Sequence, residues 1–227
     1  NSLLHASIPY SRAANIELLH FSPKKSSSAD TAIHMASAAL KQTIGYILSE
    51  TRDFNSLASS NVFAVACTAA LVSFQPRRGL HRCHVAASSS GSSTEWSLVL
   101  EKGERSRDEE DYVCSRLILD AVAHYANCTP LPRDYLLPST HIDGSPATEN
   151  IVMSSRPKPA EAVLTDIIEG RSTMSLFIRR PAGWIGNSDG GLSSEFAFYE
   201  DAPLPPRTIV YSGSFNPLHE GHIALVQ

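Results

Sequence analysis

The stretch His81-Arg-Cys-His-Val-Ala-Ala-Ser-Ser-Ser-Gly-Ser-Ser-Thr-Glu-Trp-Ser-Leu-Val-Leu100 reads as two strands around a serine- and glycine-rich connector. Residues 81–87 and 95–100 have strand character, residues 88–93 are composed like a flexible linker, and the pair is expected to form a hairpin. Upstream, Val62-Phe-Ala-Val-Ala66 is wholly apolar, the pattern of a strand buried on both faces. Pro76-Arg-Arg-Gly79 supplies the turn between it and the hairpin. Before these strands, Ser26, Ser27 and Ser28 offer an N-cap, and Asp30 places an acid in the first turn of a helix. Ile33, Ala36, Leu40, Ile44 and Ile47 recur at spacings of three and four, so this helix is expected to cover one side of a sheet. Ile8-Pro-Tyr-Ser11 reads as a strand end or a turn, because the residue before proline favours extended backbone. After the hairpin, Asp108-Glu-Glu-Asp111 places acids at the positive end of another helix, whose buried face continues through Val113, Leu117, Ala121 and Tyr125. This half of the chain is expected to be α/β.

Pro130, Pro132 and Pro138 then mark a break, and residues 127–159 read as a polar loop or linker without periodicity. A short helix is expected over 160–169, ended by Gly170. Thr173-Met-Ser-Leu-Phe-Ile178 alternates like a strand, and Phe196-Ala-Phe-Tyr199 is a second short one. The glycine-rich stretch 183–191 lacks G-x-G-x-x-G order and is assigned no nucleotide role. Residues 160–202 are read as a continuation of the α/β region or an interdomain segment, with Pro203, Pro205 and Pro206 as a linker after it.

The 227 residues suffice for one or two domains, and 42% hydrophobic with 19% charged residues is an ordinary globular composition. A net charge of −4 and a pI near 6.1 give no general electrostatic reason to bind nucleic acid or an anionic membrane. No apolar run approaches a membrane span. The chain opens on Asn1-Ser-Leu-Leu-His, without Met or a signal-peptide core, and reads as the interior of a longer open reading frame. Cys67, Cys83, Cys114 and Cys128 show no C-x-x-C spacing and are read as reduced thiols, which points to a cytoplasmic location.

Several features have plain structural readings. His81, Cys83 and His84 hint at metal, but alternate residues of a strand face opposite ways, so no metal site is assigned. Arg77 and Arg78 read as a solvated turn, the acidic run at 108–111 as a helix start in water, and Trp96 and Trp184 as packing residues.

The chemistry-bearing motif lies at the other end. Gly213-Ser-Phe-Asn-Pro-Leu-His-Glu-Gly-His222 follows the strand-like Thr208-Ile-Val-Tyr211 and opens a helical pattern. A helix start offers unpaired N–H groups and positive potential to phosphate, and His219 and His222 share a face of that first turn. The run resembles the G-x-F-x-P-x-H-x-G-H signature of the nucleotidylyltransferase superfamily, with every signature position filled. The resemblance implies that a phosphate oxygen of an acceptor attacks the α-phosphate of ATP or CTP and pyrophosphate leaves. It implies His219 and His222 as the catalytic contacts to the triphosphate, nucleotide-binding backbone at Gly213, Ser214 and Phe215, and Mg²⁺ as the counter-ion. Residues 207–227 would be the first strand and helix start of a Rossmann-like domain, and such a fragment is expected to be inactive by itself.

Residues 1–126 carry a second resemblance. Ile8-Pro-Tyr-Ser-Arg-Ala-Ala-Asn-Ile-Glu-Leu-Leu19 is similar to the V-P-Y-S-x-x-A-K-x-x-L-L segment of the CinA C-terminal-like domain. Val65-Ala-Cys-Thr-Ala-Ala70 falls where that family has a T-G-x-A-G-P-like turn. Members include nicotinamide-nucleotide amidohydrolases. Here Asn15 replaces the family's lysine and only Tyr10 remains of the local cluster, so amide hydrolysis is not expected.

The expected fold is therefore a CinA-like α/β sandwich followed by an incomplete nucleotidylyltransferase domain. The expected function is nucleotidyl transfer by the full-length protein, with nicotinate or nicotinamide mononucleotide adenylylation as the reaction both resemblances touch. The alternative is a non-catalytic CinA-like module for nucleotide binding or scaffolding. Expected partners are a nucleotide and a small phosphate-bearing acceptor, not nucleic acid or membrane, and a homo-oligomer is left open.

Overall fold

Ser11 and Ser28 each begin a helix by turning a hydroxyl back onto the backbone. A computed structural model of the chain describes residues 3–51, 61–75, 78–137, 147–157, 175–179 and 196–200. Ser11 Oγ accepts the Ala14 N–H at 3.1 Å and caps α1 (Arg12–Leu19), which ends where His20 adopts a left-handed φ of 62°. The stretch read as a strand end thus leads into a helix. Ser28 Oγ accepts the Thr31 N–H at 3.2 Å and caps α2 (Ala29–Thr51), as expected. Ala36, Leu40 and Ile44 are buried on α2, while Ile33 and Ile47 are only half-buried. The centre of the buried stripe runs through Ala32, Ala36, Leu40, Ile44 and Leu48. Ala32 and Ala36 pack on Ala86, and these small side chains let helix and sheet approach closely.

The sheet has strand order β1-β2-β3-β4, all neighbours antiparallel: β1 (Phe63–Ala70), β2 (His81–Ser89), β3 (Ser92–Leu100) and β4 (Ile151–Pro157). The expected hairpin is β2–β3, but the strands continue through most of the serine-rich connector and leave only Ser90 and Gly91 as the turn. β1 is longer than its apolar core and lies at the end of the described sheet. Most of its residues are half-buried, in place of the expected burial on both faces, and the strand runs on through residues 67–70, where the resemblance placed part of a turn.

The capping box of Ser106 and Glu109 starts α3 (Arg107–Tyr125). The Ser106 N–H and hydroxyl hold the Glu109 carboxyl below its ordinary pKa. Val113, Leu117, Ala121 and Tyr125 are buried as expected, against Cys83, Val85, Trp96 and Leu98 of the sheet. α2 and α3 therefore cover opposite faces: Ala86 of β2 meets α2, while Cys83 and Val85 meet α3. This is an α/β architecture in the general sense, helices on both sides of an antiparallel sheet.

The stretch read as a polar loop holds a one-turn helix α4 (Arg133–Leu136) and the strand β4. Arg105 secures the entry to β4, its guanidinium meeting the Glu149 carboxylate at 2.6 and 2.7 Å. Glu149 also accepts the Glu101 N–H at 2.7 Å, and this carboxylate raises the Arg105 pKa. Separately, β5 (Ser175–Arg179) pairs antiparallel with β6 (Phe196–Glu200), close to the two strands expected there. The helix expected over 160–169 lies outside the described residues. No helix among the described residues is long and apolar enough to cross a membrane.

Candidate functional site

His219, His222, Gly213, Ser214 and Phe215 all lie outside the described residues. Tyr10 is described: it precedes the α1 cap, its side chain is 95% exposed, and its N–H donates to Ile8 O. Ionisable and polar side chains gather instead at the sheet, in three groups.

The first joins β2 to α3. His81 Nδ1 is hydrogen-bonded to Glu110 Oε1 at 2.6 Å, and the Val72 N–H donates to Glu110 Oε2 at 2.7 Å. Glu110 is fully buried, although three of its sequence neighbours are acidic and exposed. The acidic run is thus a solvated helix start at three positions and an internal tie at the fourth. Glu110 stands three and four residues before Val113 and Cys114, so it heads the apolar stripe of α3. That placement was the available signal for its burial.

The second group occupies the α2-facing side of the sheet. His84 and Ser97 are directly opposite across β2 and β3, with Nδ1 and Oγ 2.8 Å apart. Burial, and then the charge of Arg82, lower the His84 pKa and favour the neutral imidazole. Arg82 and Glu95 belong to the same face by strand alternation. Arg82 Nε, His84 Nε2 and Glu95 Oε2 are buried without hydrogen-bond partners, half of the six such side-chain atoms among the described residues. Arg156 of β4 approaches Glu95 Oε2 only to 3.7 Å. A neutral imidazole beside a serine hydroxyl can accept its proton, and the guanidinium and imidazole can hydrogen-bond a polar ligand.

The third group is three thiols on the α3 side: Cys67 on β1, Cys83 on β2 and Cys114 on α3. His81 and Cys83 share that face and His84 lies on the other, so the histidine–cysteine cluster in sequence is divided by the sheet. Among the described residues no three His, Cys, Asp or Glu side chains converge as a metal site would require.

No family model matches the chain, and no curated protein or solved structure matches it either.

Proposed function

We propose that the protein is a nucleotidylyltransferase acting with Mg²⁺ and ATP or CTP on a small phosphate-bearing acceptor. One observation carries this reading, the uninterrupted run Gly213-Ser-Phe-Asn-Pro-Leu-His-Glu-Gly-His222. The acceptor's phosphate oxygen attacks the α-phosphorus, the bond to the β-phosphate oxygen breaks, and pyrophosphate departs with that electron pair. His219 and His222 hydrogen-bond the phosphate oxygens, and the amides of Gly213, Ser214 and Phe215 hold the nucleotide. Bound Mg²⁺ supplies charge neutralisation. The acceptor proposed is nicotinate or nicotinamide mononucleotide, the location proposed is the cytoplasm, and the sheet half is proposed to be CinA-like. The test is pyrophosphate release by the purified protein. His219→Ala and His222→Ala should each lower turnover by on the order of a hundredfold or more, and unchanged turnover in both variants overturns the assignment.

A second reading, a non-catalytic ligand-binding module, is favoured by Arg82 Nε and His84 Nε2, buried without hydrogen bonds on one sheet face beside Glu95. Calorimetry with nicotinamide mononucleotide, NAD and ATP separates the two. Saturable binding that Arg82→Ala abolishes, without pyrophosphate release, supports the module.

A further inference from the structure

Cys67 and Cys83 are sixteen residues apart in sequence, yet their Sγ atoms lie 3.6 Å apart. The β1–β2 register explains this. Cys67 is opposite Val85 and Cys83 opposite Ala69, so the two cysteines are diagonal neighbours on the α3-facing side. The pair is chemically unequal. Cys83 is fully buried, and hydrogen bonding to Cys114 and then to Cys67, followed by burial, pushes its thiol pKa far up. Cys67 is only half-buried, and its hydrogen bond with Cys83 lowers its pKa in spite of burial and nearby Asp111. A more acidic, half-buried thiol touching a fully buried protonated one is the arrangement of an attacking sulfur and a resolving sulfur.

We propose that Cys67 and Cys83 form a reversible disulfide when a hydroperoxide reaches the β1 side of the sheet. The Cys67 thiolate attacks the outer oxygen of the peroxide, the O–O bond breaks, and the departing oxygen takes a proton. This leaves a sulfenic acid on Cys67. The Cys83 sulfur then attacks Cys67 Sγ, the S–O bond breaks, and the hydroxide leaves as water with the Cys83 proton. Overall, two thiols are oxidised by two electrons and one hydrogen peroxide is reduced to two waters. The sulfurs close to a bond of about 2.05 Å. This inference does not depend on the nucleotidyl-transfer reading.

The test treats the folded, full chain with hydrogen peroxide, alkylates the remaining thiols in denaturant and maps the peptides by mass spectrometry. The expected result is one linked peptide pair joining Cys67 to Cys83, restored to two alkylated cysteines by dithiothreitol. Cys67→Ser should abolish the link, and Cys83→Ala should raise dimedone labelling of Cys67 severalfold. If Cys83→Ala does not fold, the wild-type peptide map decides alone. Full alkylation of Cys67 and Cys83 at a dose that oxidises the exposed Cys128 overturns the proposal. Links found only through Cys114 or Cys128 overturn it equally.

Discussion

His81 Nδ1 and Glu110 Oε1 stand 2.6 Å apart with both side chains buried, which fastens the first residue of β2 to the first turn of α3. Glu110→Ala leaves the imidazole and the Val72 N–H without their carboxyl partner in a site water does not reach. The expected loss is about 3 kcal/mol, with Glu110→Gln losing less because one acceptor oxygen remains. Urea unfolding reads both, and an unchanged midpoint for the alanine variant contradicts the tie.

Arg105 and Glu149 are 9% and 1% exposed at the side chain and meet in a two-pronged contact ahead of β4. Lysine cannot reproduce that fork. Arg105→Lys should therefore speed amide exchange in residues 151–157 by about tenfold or more, with exchange at the centre of β2 unaltered. Uniform acceleration across the sheet would show that the contact does not act on β4 in particular.

His84 gives a pH signature. Its folded pKa lies below the ordinary value of 6.5, so the unfolded chain binds the proton more tightly. The stabilising contribution of the neutral ring is complete above pH 6.5 and is lost as pH falls through the depressed folded pKa. His84→Asn should flatten this acid limb of stability. Parallel pH profiles of the urea midpoint for the two proteins would refute it.

Gly103 has a φ of +90° with open space where a Cβ would stand, so alanine there meets backbone strain alone. Gly103→Ala should lower stability by about 1 kcal/mol. At Gly79 the nearest atom to an added Cβ is Arg82 Nη2 at 3.9 Å, an ordinary contact, and Gly79→Ala should be close to neutral. Thermal melts of the pair provide the comparison, and an unshifted Gly103→Ala would exclude the strain.

The hairpin and α3 were legible because local chemistry and burial agree there: strand residues flank Ser90-Gly91, and acids at the helix start lead into a clean apolar stripe. β4 was not legible. Ile151-Val-Met-Ser-Ser-Arg-Pro157 has no regular alternation, since Val152 and Met153 on opposite faces are both exposed at the outer strand. α1 was hidden for a related reason, with Leu19 its one buried residue. Of the polar sites, Glu110 looked like a member of a solvated run, and only its place on the α3 stripe set it apart. The pairing of His84 with Ser97 depends on strand register, which the serine-rich connector, read as a linker, left undefined.

The division of the sheet's two sides also guards the strand register. On β2 the residues Cys83 and Val85 answer to α3, while Arg82 and His84, their immediate sequence neighbours, answer to the opposite environment. A one-residue slip would drive a guanidinium and an imidazole into an oily layer, so pairing errors are self-penalising. By the same partition, a substitution at Arg82 or His84 is met by the environment on the α2 side, while the thiols and aliphatics on the α3 side keep their own contacts.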